Sequence, residues 1–548
     1  MRKLPERLTP SRLYRPVFFL LPFLGGLYFD RQWCLACLLH GGLLAWQVWR
    51  GRRLFLPDTA TLAAGAILAA GGIWNLLFGV DAGAGWEGCL WLLGCFLFVL
   101  LLAQWTPRER RALLELLPWM GCAMVLVSLA GLAWAPARTL WWENGRMAGG
   151  FQYANAFGAF AAAGLAVLGT GVRRARDLVR WGLLLAGLAA SGSRGALLVF
   201  GLWIAWQGIH RRVSARCGVL LLTALLAGGV AAGMGGSLAR LADPESYSTL
   251  WGRLLYWQDG LRLLAQHPLG VGRLGWLYLQ GMVQTGVYHV RFVHSALLQA
   301  ALDYGLPAAL ALLLWTAGRL HRGACAPAAA GILCLHACAD ADFAFQAMVL
   351  AALLALAPAE NTGRAVRCRA PGLAAAALAL LVLPTGAADL AGAAGRFDLA
   401  ARLDPTDTEI AVEQMLAGTD LDQAAKQAGD ILDRNAFQPA AWSILAEQAA
   451  DRREYDTMAV ALRQTVVLQR YSQQAYDTAL AHLTAAWQDG WDPAAAARAM
   501  GWTLDYMDQT LEATSTLGRM IRDQPELEVP QTLRLQIRIL EQAARTPG

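Results

Sequence analysis

Lysine is nearly missing from this chain: Lys3 and Lys426 are the only two lysines among 46 basic residues. The net charge of +6 rests on arginine, and no basic tract runs along the sequence, which argues against nucleic acid as a partner. Charge of either sign is scarce, at 16% of residues, where soluble domains carry roughly 25%. Cysteine is absent beyond residue 368, and none of the ten before it has zinc-site spacing, so neither a disulfide nor a structural metal is expected. The first apolar segment lacks a small-residue cleavage site and reads as a membrane helix rather than a removable signal.

Apolar runs are abundant instead. The chain is 56% hydrophobic, with 22 tryptophans and a mean hydropathy of +0.38. The runs fill residues 16–390, whereas 396–548 has ordinary soluble composition. A hydrocarbon core about 30 Å thick needs about 20 apolar residues per helix. On that basis thirteen spans are expected, near 16–30, 33–49, 58–80, 87–105, 112–134, 154–171, 178–192, 195–209, 217–235, 295–317, 326–341, 343–358 and 371–389. With the N-terminus cytoplasmic, 23 Lys/Arg fall inside and 9 outside, and every cytoplasmic connection obeys the positive-inside rule. Five of those nine lie in one long connection, 236–294, which this topology puts outside together with everything after residue 390. The expected fold is all-α: a polytopic membrane bundle of 12–13 spans over 1–390, then an extracytoplasmic helical domain over 391–548.

In that tail, apolar and alanine positions recur at three and four residues, with Asp-Pro and Gln-Pro breaks between pairs of helices. Leu432 and Leu468 are 36 apart and Trp442 and Tyr476 are 34 apart, near the tetratricopeptide period. Tetratricopeptide-like hairpins and a generic helical domain are both compatible with this pattern. Stacked hairpins would offer a surface to a protein partner or a polymer.

Ionisable residues beside membrane spans are functional candidates. The outer side holds four such places: the Arg146–Asn155 loop, the turn around Arg194, the Arg253, Tyr256, Trp257 and Asp259 group, and His294 with Arg291 three residues before it. Each has a plainer reading. A loop arginine usually meets lipid headgroups, and Trp251, Trp257 and Trp276 suit an interfacial belt. A histidine at a helix start is commonly a cap, His267 before Pro268 looks like a turn residue, and His289 has no distinguishing context. The acids Asp243, Glu245, Asp259, Asp340 and Asp342 are scattered along the sequence. That favours chemistry without a metal and leaves room for a cation.

Four segments in order, GRMAGGFQYANAFGAF (145–160), SGSRGALL (191–198), GRLLYWQDGLRLLAQHPLGVGRLGW (252–276) and VHSALLQAALDYGL (293–306), resemble the O-antigen ligase and O-antigen polymerase family of bacterial membrane glycosyltransferases. HACADADF (336–343) is a weaker fifth, and Asp303 stands where relatives commonly have glutamate. The resemblance implies a GT-C-like enzyme of the bacterial plasma membrane, with no cofactor and no metal. It would move a glycan en bloc from undecaprenyl diphosphate to an acceptor hydroxyl on the outer face. It implies His294 as the base and Arg194 and Arg253 as catalytic cations at the diphosphate, since arginine offers a fixed fork to phosphate oxygens. Arg146, Arg291, Tyr256, Trp257 and Asn155 would support substrate binding.

The acceptor stays open among a growing polysaccharide, a lipid anchor and a protein hydroxyl, the last making a protein O-oligosaccharyltransferase. A transporter or flippase of lipid-linked glycans would need mid-span charges and related halves, and neither is visible. A scaffold that merely anchors the tail needs no polar outer loop.

Overall fold

The computed structural model describes residues 9–51, 53–172, 174–221, 223, 248–360, 363–367, 369–514, 526–535 and 537. Most of the expected span at 217–235, the start of the long connection, and Asp243 and Glu245 lie outside the described residues.

The described chain is helical, with only two-residue strands: Leu54–Phe55 against Ala365–Val366, and Trp142–Glu143 against Arg146–Met147. Among the described residues, four helices are long and apolar enough to cross a membrane: Thr59–Phe78, Ala82–Gln104, Pro107–Gly131 and Ala370–Ala393. Their ends are written in the sequence. Asp58 and Asp81 cap the first two by accepting from the Thr61 and Ala84 amides, each at 3.0 Å, and Thr106 with Glu109 forms a capping box for the third. Leu77, Phe78, Leu314 and Ile209 are at least 66% exposed, as lipid-facing side chains of an integral membrane protein are.

The 33–49 run forms Asp30–Gly51, but several other expected spans are interrupted or shorter than their hydrophobic runs. The 295–317 run is broken into Ala296–Tyr304 and Leu306–Arg322 by Gly305, whose φ of +91° ends one helix before Pro307 starts the next. The 326–341 and 343–358 runs yield only Pro327–Ala337 and Gln346–Leu356, of 11 residues each. The 16–30 run becomes the end of Pro10–Leu20 followed by two 3-10 turns. Hydropathy registers composition, while the breaks come from backbone chemistry that composition does not weigh.

Connections gather at two ends. At one end the Leu54–Phe55 strand pair sits with Arg319 bound to Asp58 at 3.0 Å and Arg110 to the Glu360 carbonyl at 3.2 Å. At the opposite end of the same helices, Arg31 pairs with Asp389, and the Val80 amide bonds the Val271 carbonyl at 2.9 Å.

The long connection is not an irregular loop. It folds as Ser248–Gln266 and Gly275–Val283 around a core of its own, including Leu255, Leu263, Trp276, Tyr288 and Val293. Asp259 sits within it fully buried, accepting from the Thr285 amide and the Tyr288 hydroxyl, each at 2.8 Å. Burial pushes the Asp259 carboxyl up, and those donors oppose the shift. Trp276 is fully buried and stacked on Tyr288, and Trp257 donates to the His294 carbonyl. The expected tryptophan belt therefore reduces to Trp251 in this segment, because the connection is long enough to bury a core of its own.

In the tail, Leu421–Arg434, Pro439–Asp451, Tyr455–Leu468, Gln473–Gln488 and Pro493–Thr514 follow one another across short turns, each packing on the next. Prolines open the second and fifth, where a missing amide costs nothing. The tail lies on the end that carries Val80 and the long connection. Asn435 donates to Asp81 at 3.0 Å, and Arg291 makes a two-pronged pair with Glu409 at 2.8 Å. Gly281 lies so close to Leu468 that an added Cβ would stand 1.9 Å from its carbonyl oxygen.

Candidate functional site

A single carboxylate organises the polar residues at the tail end of the bundle. Asp340, only 2% exposed, accepts through one oxygen from the Tyr153 hydroxyl and His294 Nδ1 (3.4 Å). Through the other it accepts from Asn155 Nδ2 and Arg253 Nη2, each at 2.8 Å. Five elements converge here. Tyr153 and Asn155 enter at the start of Ala154–Leu168, and Arg253 projects from Ser248–Gln266. His294 precedes the Ser295 cap of Ala296–Tyr304, and Asp340 lies past the end of Pro327–Ala337. Arg146 closes the fifth side, bonding the Ser191 carbonyl at 2.7 Å and the Asn155 carboxamide oxygen.

Charge explains why so many groups meet there. Burial alone would raise the Asp340 pKa, but His294, Arg253, His336 and Tyr153 together hold it below the usual carboxylate range. Burial works against the Arg253 charge, and Asp340 outweighs it, so the guanidinium is held more firmly protonated. Burial and the adjacent Asp340 push the Tyr153 phenol up, which keeps it a donor. Arg253 and His294 remain 22% and 24% exposed, so both meet the surface where Asp340 does not.

His294 is fixed at both backbone and ring. Its φ of +54° is left-handed, a region few non-glycine residues occupy. Its carbonyl accepts from Trp257 Nε1 at 3.2 Å, and Tyr256 lies 5.9 Å from its ring centroid. With Asp340 accepting at Nδ1, the other ring nitrogen, Nε2, is left to take a proton from an incoming hydroxyl.

Of the residues named from sequence, Arg146, Asn155, Arg253, Tyr256, Trp257 and His294 come together. Arg194 opens its helix beside Ser193, which caps it and lies 3.3 Å from His336 Nε2. Arg146 packs against Gly192 of the same turn. Arg291 is turned toward the tail and paired with Glu409. The reading of the acids as scattered needs correction: Asp340 and Asp342 sit with His336, their ligating atoms within 4.8 Å of one another, and this buried trio could hold a metal ion. Its present charges are already matched, Asp340 by Arg253 and Asp342 by His336 at 2.5 Å. Tyr153, His336 and the central role of Asp340 escaped the sequence reading. The signal was there in three ionisable residues inside an otherwise apolar stretch, 336–342.

Residues 181–313 match the family model described as O-antigen ligase, a stretch that takes in Arg194, Arg253 and His294 and leaves Arg146, Asn155 and Asp340 outside. Among curated proteins, none matches the chain.

Proposed function

We propose, on the premise that the O-antigen ligase match makes this an integral membrane glycosyltransferase of the ligase and polymerase type, that it transfers a whole glycan from a polyprenyl diphosphate, undecaprenyl diphosphate, to an acceptor hydroxyl. Arg253, with Arg194 and Arg146 at the neighbouring turn, takes the charge that gathers on the departing diphosphate. In a partly dry site such stabilisation lowers a barrier by about 3–4 kcal/mol per well-placed donor. His294 Nε2 takes the acceptor proton as the hydroxyl oxygen attacks the anomeric carbon and the bond to the diphosphate oxygen breaks. Asp340 is a positioning residue, setting the histidine tautomer and aiming Arg253.

The observation that carries this reading is the shared carboxylate: one buried acid holds both the candidate base and the candidate phosphate-binding cation. Arginine excess in the connections away from this site supports the cytoplasm on that side and the reaction on the outer face of the plasma membrane. The acceptor class stays that of the family: glycan, lipid or protein.

The test uses purified protein supplied with lipid-linked donor. His294→Ala should abolish transfer while the protein remains folded, and retained turnover would remove His294 as the base. Arg253→Ala should impair use of the donor more than Arg253→Lys, because lysine keeps the charge but not the fork. Equal, mild effects would point to lipid-headgroup contact instead.

A further inference from the structure

A second concavity lies where the tail meets the long connection. It is a cleft of about 690 Å³ bounded on one side by the Leu277–His289 stretch and on the other by tail residues near Glu413, Phe437 and Leu468–Ser472. The volume falls within the roughly 300–1,000 Å³ of small-molecule sites. Its walls alternate two kinds of group. Phe437 and Tyr471 present half-buried aromatic rings with the buried Tyr288 behind them, while His289, Glu413 and Gln469 present exposed polar ends. In two lining residues the Tyr471 hydroxyl and Arg470 Nε are enclosed and have no hydrogen-bond partner among the described residues. An unsatisfied buried donor costs about 1–3 kcal/mol, which a ligand's acceptors would offset once these side chains turned toward the cleft.

We infer that this cleft binds a saccharide chain, with the tail completing a glycan subsite beside the reaction centre; the inference rests on the glycan-transfer reading above. Flat rings separated by carboxamide, carboxylate and imidazole ends suit pyranose units, whose C–H faces stack on aromatics while their hydroxyls both donate and accept. Opposite charges, Arg470 against Glu409 and Glu413, leave no cationic excess that would select phosphate. The lining residues lie on helices and turns, so the cleft offers an extended peptide no strand edge.

Position supports the same occupant. Tyr288 lines the cleft and its ring lies 4.6 Å from Tyr256, which lies 5.9 Å from His294. Two packed rings thus separate the cleft from His294, close enough for one glycan chain to reach both. His289, without a role in the sequence, lines that cleft.

The probe is the lipid-free oligosaccharide released by mild acid from the host's own surface polysaccharide, as a ladder of lengths, titrated into the full chain in lipid nanodiscs. Affinity should rise with length and then level off once the cleft is filled. Tyr471→Phe, Gln469→Ala and Glu413→Ala should each weaken binding about tenfold or less singly, and more than tenfold together, as lost hydrogen bonds do. Gln469 and Glu413 are exposed, so those changes leave the fold intact. Absence of saturable binding, or equal binding by the triple variant, would overturn the subsite. A peptide that competes at lower concentration than the ladder would overturn the ligand class.

The two readings fail separately. A wrong subsite leaves transfer kinetics unchanged in the triple variant, whereas a wrong reaction leaves ladder binding intact with no transfer dependent on His294. If both hold, a raised KM for lipid-linked donor assigns the cleft to the donor glycan, and a raised KM for acceptor assigns it to the acceptor.

Discussion

Replacing Asp340 by asparagine removes one charge and adds no bulk, and the geometry dictates how the amide must turn. One orientation keeps an oxygen toward Arg253 and Asn155, now at 2.8 Å, and presents an NH2 to Tyr153 and His294. The other keeps the histidine contact, at 3.4 Å, and aims the NH2 at a guanidinium. The first wins, since removing the acceptor from a buried charge costs about 3–5 kcal/mol, eased here by the partial exposure of Arg253. The Tyr153 hydroxyl can rotate to accept. His294 can accept only by leaving Nδ1 bare and moving its proton to Nε2, which disarms the base. In serine proteases the comparable carboxylate-to-amide change lowers kcat by roughly 10⁴. The longer contact here sets a smaller expectation, a fall of roughly 10²–10³, or about 3–4 kcal/mol at 1.36 kcal/mol per decade. Because Arg253 keeps its partner, KM for the lipid-linked donor should change little. The assay is steady-state transfer by purified Asp340→Asn in nanodiscs, with thermal unfolding alongside. A folded variant within about threefold of the parent kcat would refute the account of His294. A raised KM with unchanged kcat would show that Asp340 serves Arg253 alone.

Other perturbations test the tail and its docking. Gly281→Ala would drive a Cβ to 1.9 Å from the Leu468 carbonyl, a backbone atom that cannot swing aside. Amide exchange in Tyr455–Leu468 should accelerate, and unchanged protection would show that the tail does not rest there. Asp407, which caps Thr408–Ala417, is pushed up to about 7, chiefly by burial, with Glu87 and Glu409 adding to it. The folded state then holds a proton that an unfolded chain, with a carboxyl pKa of about 3.9, gives up earlier, so stability should fall as pH rises from about 4 to 7. Asp407→Asn keeps the cap and should flatten that dependence in thermal unfolding; an unaltered slope would place the effect elsewhere. Arg291→Ala breaks the pair with Glu409, but both side chains are more than a third exposed. Stability should fall by less than about 1 kcal/mol, and a larger loss in denaturant titration would mean that the pair acts with other groups.

Sequence patterns carried some of this further than others. Apolar runs and arginine bias gave an all-helical membrane part and grouped Arg146, Arg194, Arg253 and His294 on one side, because both signals accumulate over many residues. The breaks did not show. The 295–317 run looks continuous to hydropathy, and its division depends on one glycine at φ +91°. Tertiary partners were least legible. Asp340 is 46 residues from His294, 87 from Arg253 and 185 from Asn155, so local periodicity does not connect them. Amphipathic spacing in the tail announced helices without saying that they would cover the long connection.

The two 11-residue helices set the depth of Asp340 along the bundle. Pro327–Ala337 and Gln346–Leu356 meet where Cys325 bonds Ala357, on the level of Arg319 and Asp58, at the end away from the tail. Eleven residues rise only about 16 Å, roughly half of a 30 Å hydrocarbon core. On the proposed reading, Asp340, just beyond the first of them, would sit at the floor of a well in the leaflet on the tail's side, below the plane of the phospholipid phosphates. A lipid-borne diphosphate would have to be drawn down from that plane, and the acceptor would have to descend to meet it. Turnover should then depend on how thick the surrounding bilayer is, falling in long-chain lipids that raise the rim of the well above a fixed floor.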